Sequence, residues 1–192
     1  MVIGIDVDGV LRDFCEGLTS CVKENYPHYI KKDFSEINNW QLEENFNCSR
    51  EDLRQLYWYD YAEEIIGNSN PIYGSIEQMY DLFDWAETEG HSLVCVTSQR
   101  KNVRQHTLTW LGKHGLPFDT IYFRRGRHKW QTPIDYLVDD SPKNWESWKK
   151  NRGHEDGYIL VDQAYNQHIK SSYRITELKQ VIDMGIPPIV IL

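Results

Sequence analysis

Short apolar runs that end in acids or hydroxyls dictate the architecture expected of this chain. Val2-Ile3-Gly4-Ile5 leads into Asp6-Val7-Asp8-Gly9-Val10. Ser92-Leu93-Val94-Cys95-Val96-Thr97 precedes Ser98, and Tyr136-Leu137-Val138 ends in Asp139-Asp140. A further run covers residues 157–161, and a weaker one covers Thr120–Phe123. Runs of this length, apolar throughout and cut off by turn residues, are the pattern of strands buried on both faces. Helical stretches separate them. Ser75–Glu89 carries Ile76, Met79, Tyr80, Leu82 and Phe83 at helical spacing and stops at Gly90. Residues 102–114 end at Gly115, residues 142–151 begin behind a Ser, and residues 176–184 begin behind a Thr cap.

Strands that alternate with helices imply an α/β fold, a doubly wound parallel sheet with helices on both faces. Ligands of such sheets bind beyond the carboxyl ends of the strands, where strand order switches. Asp6 and Asp8, Thr97 and Ser98, and Asp139 and Asp140 fall at three of those ends, so they are expected to converge. Residues 15–73 carry no strand signal and are rich in acids and aromatics. Loops beyond about 12–15 residues are uncommon in compact domains. The expectation is therefore a core of residues 1–14 and 74–192, with a small helical cap inserted at 15–73.

Composition narrows the function classes. A formal net charge of −8 argues against a grip on a nucleic-acid backbone, and the strip Arg124-Arg125-Gly126-Arg127-His128-Lys129 suits one small phosphate better. Seven Trp and twelve Tyr serve as core or wall a pocket for a flat ligand. Cys15, Cys21, Cys48 and Cys95 form no CxxC pair and have no zinc spacing, as in a reduced, cytoplasmic protein. No leader precedes Val2, and no apolar run approaches the about 20 residues of a membrane helix, so no membrane partner is expected. The apolar tail at 186–192 packs on the core or on another subunit, which leaves a homodimer open.

The clustered residues suggest a chemistry. One carboxylate of Asp6 and Asp8 can attack phosphorus; the other can protonate the leaving oxygen and later activate water. Gly9 lets the backbone turn close to a ligand. Several carboxylates in one spot repel unless a hard cation sits among them, and Mg²⁺ suits oxygen ligands and substrate phosphate. Thr97, Ser98 and Lys129 can donate to phosphoryl oxygens. Taken singly, each piece has a bland reading as a turn, a cap or a solvated charge. Their joint order and placement do not.

Asp6-Val7-Asp8-Gly9-Val10-Leu11 resembles the first motif of the haloacid dehalogenase (HAD) superfamily of phosphohydrolases. Val94-Cys95-Val96-Thr97-Ser98 resembles its second motif, Lys129 its third and Leu137-Val138-Asp139-Asp140 its fourth. Within that superfamily the chain is most similar to the 5′(3′)-deoxyribonucleotidases. The likeness rests on Asp13-Phe14 after the first motif, Val96-Thr97-Ser98, Trp40 in an aromatic segment, and Lys129 placed ahead of Asp139. Two departures are Asn39, where the family tends to have a second aromatic, and Ser141, where it has Arg.

The resemblance implies a Rossmann-like core and a set of roles. Asp6 is the nucleophile and Asp8 the general acid, then base. Asp6, the backbone carbonyl of Asp8 and Asp140 hold Mg²⁺, with Asp139 behind them. Thr97, Ser98 and Lys129 bind phosphate, assisted by Lys101 or Arg100. Phe14, Trp40 and Trp58, with Tyr57 nearby, sandwich a base. The implied substrate is a nucleoside monophosphate. The alternatives are another small phosphate ester such as a phosphosugar, a nucleic-acid end, or a non-catalytic scaffold on the same fold.

Overall fold

The computed structural model describes residues 1–185. It contains an all-parallel sheet of β1 (Val2–Ile5), β2 (Ser92–Thr97), β3 (Thr120–Phe123), β4 (Tyr136–Asp139), β5 (Tyr158–Val161) and β6 (Arg174–Ile175). Strand order is β3-β2-β1-β4-β5-β6. The chain leaves β1 toward β2 and later returns to the other side of β1 as β4. That reversal opens a crevice between the carboxyl ends of β1 and β4, and Asp6 and Asp139 stand at those two ends.

Helices cover both faces. α3 (Ser75–Glu89), α4 (Arg104–Lys113) and α6 (Gln180–Asp183) follow the inserted helices α1 (Phe14–Asn25) and α2 (Arg50–Gln55) and flank α5 (Pro142–Arg152) in sequence. Ile3, Ile5, Cys95, Val138 and Ile159 pack with Met79 and Leu82 of α3, Trp110 of α4 and Val181 of α6. Val94, Val96, Leu137 and Leu160 point the other way and pack with Trp148 of α5. The alternation along each strand thus feeds two separate cores. α5 starts where the sequence places it, with the Ser141 hydroxyl accepting from the Asn144 N–H and Pro142 in the first turn.

The expected helix over 176–184 is shorter than the pattern suggests. The Gln180 side-chain oxygen accepts from the Thr176 and Glu177 N–H groups, which ties residues 176–179 into a turn and leaves helix at Gln180–Asp183. Residues 102–114 begin with a tight turn at Lys101–Val103 before α4. β6 is two residues long, too short for any periodicity to register. The apolar tail lies outside the described residues.

The long insertion builds its own core. Leu18, Val22, Ile37, Phe46, Leu53, Leu56, Ile65 and Ile66 are buried together, joined by Val103 and Tyr165 from the α/β body. α2 runs into wider turns at Leu56–Asp60 and Glu63–Gly67. The two connections to the body lie side by side: Asp13 N–H donates to the Asn70 carbonyl, and Ile72 N–H donates to the Leu11 carbonyl. Asp13 also caps α1 by accepting from the Glu16 N–H.

Candidate active site

A cavity of about 380 Å³ opens at the crevice. Its floor includes Asp6, Asp8, Gly9, Ser98, Lys129 and Asp140, and its walls include Phe14, Trp40, Tyr57 and Trp58 from the insertion. Residues far apart in sequence meet there because β1, β2 and β4 end side by side.

Lys129 anchors the floor. Its Nζ lies 2.6 Å from Asp6 Oδ2 and 2.6 Å from Asp139 Oδ2, and it is buried. Burial alone would lower its pKa, but Asp139 and Asp6 outweigh burial and hold the ammonium above its usual range. Asp139 is fully occupied. Its Oδ1 accepts from the Ser141 N–H at 2.8 Å, and its Oδ2 accepts from Asn144 Nδ2 at 3.0 Å as well as from Lys129. Asp139 therefore orients Lys129 and the start of α5.

Asp6 and Asp140 keep acceptor capacity facing the cavity. Asp6, Asp139 and Asp140 each offer a carboxylate oxygen within 4.8 Å of the other two, and all three are buried. One lysine does not balance them. Burial raises Asp6 to about 7, against the lowering effect of Lys129 and with help from Asp139 and Asp8. Burial, then Asp139 and Asp6, push Asp140 well above the carboxylate range, although the Tyr165 hydroxyl donates to its Oδ2. Two hard-oxygen acceptors that resist ionisation for lack of positive charge fit a divalent cation such as Mg²⁺. Gly9, at φ 75°, brings its backbone so close to Asp140 that an added Cβ would collide with the carboxylate and the Tyr165 hydroxyl.

The hydroxyls of Thr97 and Ser98 are buried without a hydrogen-bond partner among the described residues. Ser98 lines the cavity; Thr97 is sealed just behind it. Orphaned donors beside a lysine suit the oxygens of a phosphoryl group. On the insertion side, Phe14 meets Tyr57 edge-on with centroids 5.6 Å apart, and Trp40 stands 5.5 Å from Tyr165. Trp58 is braced by Asn102, whose Nδ2 donates to its carbonyl at 2.7 Å.

Of the residues singled out from sequence, Asp6, Asp8, Ser98, Lys129, Asp140, Phe14, Trp40 and Trp58 meet at this cavity. Lys101 does not. It is exposed on the turn before α4 and is not part of the lining, because that turn carries it away from the crevice. Arg100 is exposed too, with its guanidinium over the Trp58 ring at 5.5 Å, so it supports the wall from outside. Sequence reasoning singled out none of Arg12, Gln99, Lys143 and Tyr165, and it named Arg127 only within the basic strip. Arg127 holds the left-handed region at φ 67°, with its N–H donating to Asn144 Oδ1. Its place beside Lys129 in the basic strip was the available signal.

Comparison with known proteins agrees with this geometry. The model of the family described as 5′ nucleotidase, deoxy (Pyrimidine), cytosolic type C protein matches residues 1–189. A Chlorobaculum tepidum protein named "Putative 5′(3′)-deoxyribonucleotidase" is 26% identical over 191 residues, covering 96% of this chain and 89% of that one. Among solved structures, a HAD-superfamily hydrolase of subfamily IA from Geobacter sulfurreducens superposes with a TM-score of 0.56 at 16% identity, covering 95% of each chain. A hydrolase from Streptococcus pneumoniae gives 0.54 at 19% identity, covering 95% of this chain and 97% of that one. The Bacillus subtilis HAD-hydrolase YfnB, solved bound to magnesium, gives 0.58 at 13% identity, covering 95% and 97%. The chain thus belongs to the deoxypyrimidine 5′-nucleotidase family of cytosolic type C and is a phosphatase of the deoxyribonucleotidase-like kind, on a fold shared with HAD hydrolases.

Proposed function

We propose that this protein is a Mg²⁺-dependent phosphomonoesterase that hydrolyses nucleoside monophosphates through a phosphoryl adduct on Asp6. The observation that carries the reading is the Asp6–Lys129 contact on the floor of a cavity walled by Phe14, Trp40, Tyr57 and Trp58. Lys129 fixes one oxygen of Asp6, and the Val7 N–H fixes the other at 2.7 Å. The carboxylate is thereby aimed before a substrate arrives.

In the first half-reaction an Asp6 oxygen bonds to phosphorus as the bond from phosphorus to the nucleoside oxygen breaks. Asp8 gives that leaving oxygen a proton. In the second, Asp8 takes a proton from water; the water oxygen bonds to phosphorus, and the bond to Asp6 breaks, releasing phosphate. Ser98, Thr97 and Lys129 donate to the phosphoryl oxygens. Asp6, Asp140 and the Asp8 carbonyl would hold Mg²⁺, which supplies charge neutralisation for the phosphoryl group. Asp139 keeps Lys129 in place. Residues 15–73 act as the cap that encloses the nucleoside, with Phe14, Trp40 and Trp58 stacking on the base. The four cysteines are free, which supports a reducing, cytoplasmic setting for this reading.

A turnover screen tests this. Nucleoside monophosphates and phosphosugars are compared, with Mg²⁺ and with chelator. Metal-dependent turnover that favours nucleotides is expected. Preference for phosphosugars, or full activity in chelator, would defeat the reading.

A further inference from the structure

Arg12 is wholly buried, and Asp8 is the carboxylate that pairs with it. Its Nε and Nη2 both donate to Asp8 Oδ1, at 2.8 and 2.6 Å. Nη1 donates to the Ile66 carbonyl at 2.5 Å, on the last turn of the insertion. Nη2 also reaches the Thr107 hydroxyl of α4 at 3.5 Å, and the guanidinium lies over the Trp110 ring at 5.5 Å. Trp110 is itself fixed, because its Nε1 donates to the Ser69 carbonyl at 2.7 Å. The Arg12 side chain is thus held by two separate elements, the turn at Glu63–Gly67 and α4, and it passes that fixity to one oxygen of Asp8.

The other oxygen has its own partner. Gln99 Nε2 donates to Asp8 Oδ2 at 2.5 Å from the loop after β2. Gln99 Oε1 is buried with no hydrogen-bond partner among the described residues. A carboxamide can donate to a carboxylate through its nitrogen, or accept from a carboxylic acid through its oxygen. A group that alternately gives and takes a proton needs such a neighbour, whereas a guanidinium can only donate.

We propose that Arg12 and Gln99 are positioning residues that hold the Asp8 carboxyl for proton transfer to and from the leaving oxygen. Arg12 holds Oδ1, which leaves Oδ2 as the oxygen not engaged by the guanidinium. Gln99 faces Oδ2 and accommodates both states. Because Arg12 also grips the Ile66 carbonyl, the insertion helps set where Asp8 points. This inference rests on the reading of Asp8 as the acid, and the test separates the two.

The measurement is kcat/KM on a pyrimidine deoxyribonucleoside 5′-monophosphate and on p-nitrophenyl phosphate, in Mg²⁺. The first leaving group needs a proton and the second leaves without one. kcat/KM reports the steps up to leaving-group departure, so hydrolysis of the adduct does not enter. Asp8→Asn is the reference, expected to lose about 10²–10⁴-fold on the nucleotide and far less on the nitrophenyl ester. Gln99→Met and Arg12→Met should shift the ratio of the two substrates in the same direction, by about tenfold or more, as partial losses of that proton transfer. Arg12→Lys should recover part of the Arg12→Met loss, since it restores the charge but not the two-pronged contact. Should Arg12→Met fail to fold, Gln99→Met and Arg12→Lys decide. If Asp8→Asn shifts the ratio and both of those leave it at the wild-type value, the positioning role is wrong and the acid stands. If Asp8→Asn leaves the ratio unchanged, the acid assignment falls and the positioning role falls with it.

Discussion

Lys129 Nζ sits 2.6 Å from Asp6 Oδ2, a buried cation paired with a buried carboxylate on the cavity floor. Removing the lysine would leave Asp6 and Asp139 facing each other without compensation. Breaking a buried pair by deleting one partner costs about 3–5 kcal/mol. Lys129→Met should lower the melting temperature clearly and abolish measurable turnover. Unchanged stability would mean that the ion pair is not closed in solution.

The raised carboxylates give a pH dependence with a definite sign. Asp6 moves from its ordinary 3.8 to about 7 in the folded, metal-free protein. The folded state therefore holds a proton that the unfolded chain gives up. Stability from that proton is fully present below pH 4 or so and is lost as pH rises through about 7. Mg²⁺ replaces the proton, so its apparent affinity should climb over the same window and level off above it. The rise in melting temperature caused by Mg²⁺ should be larger at pH 8 than at pH 5.5. Equal rises at both would show that Asp6 does not exchange a proton for the metal.

Trp40 separates nucleotide recognition from general phosphatase chemistry. It lines the cavity and is half-buried against the core of the insertion. Base stacking on an aromatic is worth roughly 1–3 kcal/mol. Trp40→Ala should raise KM for a nucleoside monophosphate by about one to two orders of magnitude. Its effect on p-nitrophenyl phosphate should be slight, alongside some loss of stability. Equal loss on both substrates would make Trp40 a packing residue only.

Much of this was legible in the sequence, for physical reasons. The apolar runs had to be strands buried on both faces, and β1, β2, β4 and β5 are almost wholly buried, whereas the weaker run at Thr120–Phe123 forms a half-exposed strand at the sheet edge. Their acidic and hydroxyl ends had to share one edge of a parallel sheet, and Asp6, Ser98 and Asp140 do. What escaped was whatever depends on three-dimensional packing. Arg12 reads as an ordinary solvated charge, yet the insertion folds over it and Trp110 closes beneath it. Tyr165 sits in the loop after β5, without periodicity to mark it, yet its hydroxyl meets Asp140. Lys101, expected from the resemblance to assist with phosphate, stands exposed on the turn at Lys101–Val103, outside the cavity lining.

The central claim is that Asp6 carries the phosphoryl group. The most direct measurement is mass spectrometry of the protein quenched in acid during turnover of a nucleoside monophosphate with Mg²⁺. The account predicts a phosphoryl adduct on the peptide containing Asp6, absent in Asp6→Asn. An adduct on any other residue, or undiminished turnover by Asp6→Asn, would contradict it.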